Sequence, residues 1–288
     1  IMLKAGFARS SITPDVSMTM AGFDRRTLPA KGTLDELYVS VLALQQNEEQ
    51  PLLLCAFDLL GTDRALCESV RQALHLPPCQ VWICATHTHS APALGQDDRW
   101  DKIFLDACGN AAKTAIADLA PIKMETATAT LENMNFVRHY LLADGTYGGD
   151  NFGNFTNNPI VDHAAENDPQ MVLLKVEREG DKKDILVMNW QAHPCFTGGI
   201  DKTDMSADYI GGTRTYIEYQ TKDLFIFFLG ASGNQNVKTY KPNEPSPPTD
   251  HNAYGMQLGQ VIESVLNGEM TKVEGTKISC TEYVFTGD

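Results

Sequence analysis

The chain has 288 residues, of which 43% are hydrophobic and 21% are charged, a composition typical of globular proteins and not of collagen, coiled coils or disordered chains. No apolar run approaches the roughly 20 residues that a membrane-spanning helix needs, so we expect no transmembrane segment. With 23 basic and 37 acidic residues the net charge is −14, which repels nucleic acids and anionic membrane surfaces. We therefore expect no nucleic-acid partner, and a small-molecule or peptide substrate.

Predicted strands and helices are interleaved along the sequence. Short apolar runs rich in β-branched and aromatic residues predict strands at residues 38–44, 52–57, 80–85, 123–131, 171–176, 185–190 and 224–229. Helical periodicity with start and stop signals predicts helices at residues 64–75, 101–119, 209–220 and 252–266. Residues 141–169 and 238–251 lack periodicity and are predicted to be irregular loops. The pattern predicts an α/β (α+β) fold, with mixed β-sheets layered between helices in a single domain over residues 1–288.

The cysteines indicate the redox environment. They lie at positions 55, 67, 79, 84, 108, 195 and 280 without a CxxC pair, and several fall within apolar runs, which favours a reduced and buried set. The first residues lack the basic and apolar regions of a signal peptide, and we interpret Met2 as the natural start. We expect a cytoplasmic protein; the alternative is a secreted chain from which the signal has been removed.

The motif ATHTHSAP directly follows the strand predicted at residues 80–85. Its two histidines, His87 and His89, stand at positions i and i+2, so their side chains point to the same face of an extended segment. The C-terminal end of a strand is where α/β sheets place their ligands, and imidazole is a common zinc ligand. The motif by itself is equally compatible with buried histidines that are hydrogen-bonded and bind nothing.

A third histidine, His193 in MNWQAHPCFTGG, follows the strand predicted at residues 185–190, although it too could be a core histidine bonded to a backbone carbonyl. The loop FLGASGNQNV contains Gly230 and Gly233, which would let backbone N–H groups approach an anionic oxygen. Ser232 lies between them but not in a GxSxG nucleophile motif, and a tight turn without chemistry is the alternative. Four histidines have no such setting and are expected to be structural or exposed: His75, His139, His163 and His251.

Eight segments, in this order, carry a family resemblance: AGFARSSITP, MAGFDRR, LDELYVSVLAL, AFDLLGTD, ATHTHSAP, NWQAHP, SADYIGG and FLGASGNQN. Together they resemble the neutral (non-lysosomal, neutral/alkaline) ceramidase superfamily, specifically its N-terminal catalytic part. The resemblance covers most of the chain. It implies a metal-dependent hydrolase with Zn²⁺ as its cofactor.

The resemblance also implies a role for each matching residue. His87 and His193 would hold the zinc ion, with a Glu and a Tyr from well downstream as further ligands. His89 would face the substrate, and Arg138 in NFVRH would bind the scissile carbonyl. Both would stabilise the oxyanion that develops during attack by water.

Other residues are candidates for the surroundings of this site. Gly233, Asn234 and Asn236 could line the pocket. Asp58 and Asp208 lie at a strand end and a helix start, where each would either orient a ligating histidine or cap a helix.

The sequence also departs from the family pattern. Asn236 stands where the family has a serine, so the role of that serine does not transfer. The chain ends before the region where the Glu and Tyr ligands are implied, and Glu282 and Tyr283 lie in KISCTEYVF, which matches no ligand motif. We expect no counterpart of the family's C-terminal immunoglobulin-like domain. We therefore expect an incomplete catalytic unit, a metal site built differently, or a degenerate site.

The leading hypothesis is a zinc-dependent hydrolase that cleaves an N-acyl amide bond in a ceramide-like lipid or another N-acylated small molecule. The alternative is a non-catalytic or incomplete family member that acts as a binding module with a weak metal site. A third hypothesis is an unrelated HxH amidohydrolase on a (β/α)₈ barrel, which the irregular succession of strands and helices disfavours. Substrate identity and oligomeric state leave no signal in the sequence.

Overall fold

The computed structural model describes residues 2–15, 17–150, 152–275 and 277–286. Over these residues the helices are α1 (Arg64–Leu74), α2 (Asp98–Ala117), α3 (Tyr209–Gln220) and α4 (His251–Leu266). The strands are β1 (Leu3–Ser11), β2 (Gly32–Thr33), β3 (Tyr38–Gln46), β4 (Leu52–Phe57), β5 (Val81–Ala85), β6 (Ala120–Thr130), β7 (Phe136–Val137), β8 (His139–Leu142), β9 (Tyr147–Gly149), β10 (Ile160–His163), β11 (Gln170–Arg178), β12 (Ile185–Trp190), β13 (Asp204–Met205), β14 (Leu224–Leu229), β15 (Gln235–Asn236) and β16 (Thr271–Lys272).

Each of these helices starts after an aspartate that caps it. The carboxylate accepts a hydrogen bond from a backbone N–H of the first turn, which has no partner within the helix. The four capping residues are Asp63, Asp97, Asp208 and Asp250. An aspartate just before an apolar periodic segment therefore sets where each helix begins.

The main sheet of the described chain has nine strands in the order β14-β12-β11-β6-β1-β3-β4-β5, with β16 paired to β6. Most neighbouring strands are antiparallel, whereas β4/β5 and β12/β14 are parallel. The predicted mixed sheet is thereby confirmed. The antiparallel pairs exclude the (β/α)₈ barrel, because every strand of that barrel is parallel to its neighbours.

The sheet consists of two halves that are joined by a short contact and packed face to face. β1 and β6 are paired only through Lys4–Pro121 and Ala5–Ala120. Apolar side chains from both halves meet in a shared inner core that includes Phe7, Leu42 and Ile226. Helices α1 and α2 cover the outer face of one half, and α3 and α4 cover the other. The fold therefore has four layers, as the predicted placement of sheets between helices requires.

The seven predicted strands and four predicted helices are confirmed, and residues 52–57, 185–190, 209–220 and 224–229 match without any shift. Strand β1 was not predicted because LKAGFARSS has little strand character of its own. It becomes a strand through pairing with β3 and β6, and Gly6 lets it approach α2, since a Cβ there would lie 2.0 Å from the Ala115 oxygen.

The prediction of an irregular loop over residues 141–169 was wrong. A small antiparallel sheet of β8, β9 and β10 begins at His139 and occupies part of this stretch. Its strands are three or four residues long, and β9 contains two glycines, so neither apolar alternation nor strand propensity signals them. The pairing depends instead on contacts with the rest of the fold.

Two further expectations concern the whole chain. No helix in the described ranges combines the length and apolarity required to cross a membrane. All seven cysteines are free thiols, as the spacing without CxxC pairs indicated, but only Cys55 and Cys108 are buried and the other five are partly exposed.

Candidate metal centre

Three histidine side chains converge where two parallel strand pairs end. His87 follows β5 and His193 follows β12, one from each half of the sheet. Their Nε2 atoms lie 3.1 Å apart, and the Nε2 atom of His89 lies 3.3 Å from that of His87. The structure thus brings together the histidines of both sequence motifs, although they are separated by more than a hundred residues.

Backbone hydrogen bonds fix where each histidine leaves the chain. The His87 N–H donates to the Leu59 oxygen at 2.9 Å, and the His193 N–H donates to the Gln235 oxygen at 3.0 Å. The His89 N–H donates to the Pro194 oxygen at 3.2 Å, which ties the first motif to the second. His87 has a φ of 68°, a left-handed conformation that is unfavourable for a side chain of this size and is typical of functional sites.

The second ring nitrogen of each histidine contacts a backbone carbonyl. The Nδ1 atoms lie 2.6, 3.0 and 2.8 Å from the oxygens of Leu60, Gly22 and Ser232, for His87, His89 and His193 in that order. A carbonyl oxygen can only accept, so each Nδ1 carries the proton and each neutral ring presents a lone pair at Nε2. Three lone pairs therefore point into one small space with no proton between them, an arrangement that repels unless a cation or a donor enters.

The local electrostatics keep the three rings neutral. Burial lowers the pKa of His89 to about 3 and that of His193 to about 4, and the neighbouring His87 adds to both shifts. Burial also lowers the pKa of His87, and the charge of Arg138 lowers the pKa of all three rings. Neutral imidazole is the form that binds a metal ion.

The cluster fits a zinc ion in chemistry and in spacing. Two nitrogens bound to one tetrahedral zinc at about 2.0–2.1 Å lie about 3.3–3.4 Å apart, close to the separations of the Nε2 atoms. Within the described ranges, these histidines are the one group of three or more His, Cys, Asp or Glu side chains with ligand atoms within 4.8 Å of one another. Backbone carbonyls that orient ligating histidines are a regular feature of zinc sites.

A glycine turn that the sequence analysis did not single out packs against His89. Gly22 has a φ of 107°, and a Cβ on it would lie 2.7 Å from the His89 Nδ1 atom. A Cβ on Gly198 would lie 3.0 Å from the His89 Cβ atom, and the Phe23 ring meets the imidazole edge-on at 5.4 Å. The glycine of MAGFDRR is the sequence signal for this turn. Its positive φ and the close approach of His89 both favour a residue without a side chain.

Arg26 binds the three segments around His89 together. Its guanidinium donates to the His89 oxygen at 2.9 Å, to the Ala21 oxygen at 3.1 Å and to the Gly199 oxygen at 2.9 Å. It is 5% exposed, and burial lowers its pKa. Nothing in the sequence distinguished Arg26 from its exposed neighbour Arg25.

Two of the predicted substrate-binding residues lie beside the cluster. The Arg138 N–H donates to the Asn234 oxygen at 2.9 Å, which joins the residue between β7 and β8 to the loop that also carries Ser232. The Asn234 side chain is exposed, as is Gly233, where a Cβ would meet nothing within 4 Å. A side chain at position 233 would therefore meet no steric obstacle, so packing does not require a glycine there.

The two candidate aspartates bind partners other than the imidazoles. Asp58 accepts two hydrogen bonds from Arg214, at 2.9 and 3.1 Å, and a third from the Tyr38 N–H. Asp208 caps α3 and accepts from the Thr197 hydroxyl, which accepts in turn from Ser90 in the first histidine motif. Of the two roles weighed for Asp208, the structure shows helix capping, and the ring nitrogens are oriented by carbonyls instead.

Three residues were compared with functional residues of the family: Asn236, Glu282 and Tyr283. The Asn236 side chain is buried, accepts from the Cys195 thiol at 3.2 Å and donates to Asp150. Glu282 pairs with Arg71 on α1 at 3.3 Å, and Tyr283 is 84% exposed. Neither Glu282 nor Tyr283 joins the histidine cluster in the described chain.

The architecture has known counterparts. The structure is similar to that of neutral ceramidase from Pseudomonas aeruginosa, with a TM-score of 0.75 and 17% sequence identity over 96% of this chain. The two share one fold. A ceramidase complexed with C2 is also similar, with a TM-score of 0.75 and 16% identity over 96% of this chain.

This chain covers 46% of the first neutral ceramidase chain and 45% of the second, so it spans less than half the length of either. No protein-family model matches the sequence, and no curated protein matches it. The structural similarity therefore assigns the neutral ceramidase fold to this chain.

Proposed function

We propose that this chain is a zinc-dependent hydrolase that cleaves an N-acyl amide bond in a ceramide-like lipid or another N-acylated small molecule. The observation that carries the proposal is the convergence of His87, His89 and His193 through three unprotonated nitrogens. The fold supports it, because the similar structures are ceramidases. In this proposal the chain is a neutral-ceramidase-like catalytic domain.

The protein's own contribution to the metal site is preorganisation. His87, His89 and His193 would hold the ion through Nε2, since three carbonyls already bind the proton of each ring at Nδ1. A bound zinc ion would lower the pKa of a water molecule toward about 7 and polarise the scissile carbonyl. Because the rings are neutral before binding, no ligand proton has to leave.

The proposal changes the role of His89 from the one that the resemblance implied. A neutral His89 that donates from Nδ1 to Gly22 has no proton at Nε2 and cannot donate to an oxyanion there. Burial lowers its pKa to about 3, so the doubly protonated form is strongly disfavoured near neutral pH. His89 is therefore proposed as a third metal ligand.

Arg138 is the proposed donor to the substrate carbonyl. Its backbone is anchored on Asn234, and its charge acts on all three imidazoles, so it lies close to the reacting centre. Loss of one donor to a developing oxyanion costs about 10²–10³ in kcat. We expect Arg138→Met to show a loss of that size with its zinc content unchanged.

An apolar cavity next to the two leucines that anchor His87 supports an acyl group in the substrate. Its volume is about 510 Å³, and its wall includes Leu59 and Leu60, whose backbone oxygens bind His87. Most of the remaining side chains are aliphatic: Ala21, Ala65, Leu66, Pro92, Ala93, Leu94 and Leu105. Each CH₂ group buried there would contribute about 0.8 kcal/mol to binding.

The test measures turnover of a fluorescent N-acyl sphingosine panel before chelation, after chelation and after zinc is restored. We expect turnover that chelation abolishes and zinc restores. His193→Asn should be inactive under all conditions, whereas His75→Asn, a matched change outside the cluster, should behave like the wild type. Turnover that is indifferent to chelation, or none with zinc present, would contradict the proposal.

The binding-module hypothesis has one observation in its favour. The resemblance implies a Glu and a Tyr as further ligands, yet in the described chain Glu282 pairs with Arg71 and Tyr283 is exposed to solvent, away from the histidine cluster. Saturable zinc binding and N-acyl lipid binding without turnover would favour this second function.

A further inference from the structure

The hairpin of β8 and β9 brings a carboxylate to the candidate site. Its strands pair His139 with Gly149, and the next residues at that end of the hairpin are Arg138 and Asp150. The contact is close, since a Cβ on Gly149 would lie 3.2 Å from the Arg138 oxygen. Gly149 and Phe152 exchange backbone hydrogen bonds of 2.7 and 3.1 Å, which hold Asp150 in a tight turn.

Asp150 is linked to His193 through one residue. Asn236 pairs with His193 in a parallel bridge, and its side-chain N–H donates to Asp150 Oδ2. The carbonyl of the same amide accepts from Cys195, two residues after His193. The carboxylate is thereby fixed beside the strand end that carries one of the three candidate ligands.

The other carboxylate oxygen, Asp150 Oδ1, is buried and forms no hydrogen bond with any described residue. Arg138 and Lys238 are close enough for their charges to act on Asp150, yet among the described residues neither forms an ion pair with it. A buried carboxylate oxygen without a partner loses about 1–3 kcal/mol or more, so this atom calls for a ligand.

We propose that Asp150 is a catalytic residue that gives the leaving amine its proton when the amide bond breaks, an inference that rests on the proposed amide hydrolysis. Arg138 and Asp150 would face the two ends of one amide group. The guanidinium donates to the carbonyl oxygen, and the carboxyl group faces the nitrogen. An amide matches this pair because its carbonyl oxygen accepts hydrogen bonds and its nitrogen, on the same carbon, becomes basic once water has added to that carbon.

The step is balanced by water. The attacking water gives up one proton to bulk water as its oxygen bonds to the carbonyl carbon. The C–N bond then breaks, its electron pair stays on nitrogen, and the nitrogen takes the proton of Asp150. Asp150 is reprotonated from bulk water, which returns the proton that the attacking water lost, so a carboxylic acid and an amine form with no other reactant.

The environment of Asp150 favours the protonated acid that this step requires. Burial raises the pKa of Asp150, while the hydrogen bond from Asn236 and the charges of Lys238, Arg138 and His139 act in the opposite direction. An amine is a poor leaving group without a proton, and a positioned acid contributes about 10²–10⁴ in rate.

The test compares two substrates with one acyl group: the octanoyl amide of ethanolamine and the octanoyl ester of para-nitrophenol, whose leaving group needs no proton. For Asp150→Asn we expect kcat to fall about 10²–10⁴-fold on the amide and less than about tenfold on the ester. Zinc content should match the wild type. Asp144→Asn is the matched control, because Asp144 is an exposed residue of the same hairpin. An asparagine there can still accept from the Thr146 N–H, so turnover of both substrates should be unchanged.

Asp150→Glu separates chemistry from folding, since it keeps an acid and should retain more amide turnover than Asp150→Asn. Equal losses on both substrates, or equal losses in the two variants, would overturn the role of Asp150 and leave the hydrolase proposal standing. A zinc-loaded wild type that cleaves neither substrate would overturn the hydrolase proposal and this role with it.

Discussion

The fold buries two groups of polar side chains that differ in how their charges are balanced. Asp58, after β4, and Arg214, on α3, form an ion pair at 2.9 Å that joins one half of the sheet to the helix layer of the other. The three histidines, in contrast, point lone pairs at one another. The two charges of the ion pair balance each other within the chain, whereas the three histidine nitrogens face one another without a proton between them. This difference distinguishes a structural ion pair from a candidate metal site.

The largest effect on stability is expected from breaking the ion pair. Arg214→Met leaves the Asp58 charge buried without a partner, which costs about 3–5 kcal/mol of the free energy of unfolding. Zinc stoichiometry of the folded protein should be unchanged. Chemical denaturation and metal analysis measure the two quantities.

Arg71→Met is the matched control, because Arg71 and Glu282 form a partly exposed pair worth about 0–1 kcal/mol. Equal losses of stability in the two variants would show that the Asp58–Arg214 pair is not a tie between layers.

The next effect concerns His89. If it is a ligand, His89→Ala should weaken zinc binding by more than the tenfold to hundredfold that loss of an outer-shell partner costs. A zinc titration against a competing chelator measures the affinity. Wild-type affinity together with reduced turnover would return His89 to the substrate-facing role that the family resemblance implies.

The sequence predicted the regular part of the fold well for a physical reason. Runs such as Leu52–Phe57 and Leu224–Leu229 are buried in the layered core, so their apolar composition reports their position directly. Strand β1 and the hairpin of β8 and β9 acquire their structure from pairing partners distant in sequence, and no local pattern records that.

The candidate site likewise combines features that a local sequence pattern predicts with features that depend on distant parts of the chain. Strand-end positions identified His87 and His193, and the structure brings them together. The groups that orient the rings are backbone carbonyls of Leu60, Gly22 and Ser232, and any residue type can supply a carbonyl. Their positions follow from the tertiary fold, so the sequence could not indicate them.

A smaller effect is expected from the glycine turn. Gly22→Ala places a methyl group 2.7 Å from the His89 Nδ1 atom and displaces the ring, so zinc affinity should fall about tenfold to hundredfold. Gly95→Ala is the matched control: Gly95 also has a positive φ, 86°, but its Cβ would meet nothing within 4 Å. A fall of equal size in both variants would attribute the effect to backbone strain alone.

A further effect is the pH dependence of stability in the zinc-free protein. The unfolded chain takes up protons at its histidines near pH 6.5, whereas folded His193 does so only near pH 4. The unfolded state therefore binds more protons between these values, and stability should fall as the pH drops from 6.5 to 4. Denaturation across this range should give a shallower slope for His193→Asn than for the wild type; identical slopes would show that His193 does not stay neutral in the fold.

The central claim is that the three imidazoles form one zinc site, and a zinc titration followed by X-ray absorption tests it most directly. We predict one zinc ion per chain with imidazole nitrogens at about 2.0–2.1 Å, and loss of that ion in the His87→Ala plus His193→Ala variant. Substoichiometric zinc in the wild type, or an undiminished zinc content in the double variant, would contradict the account.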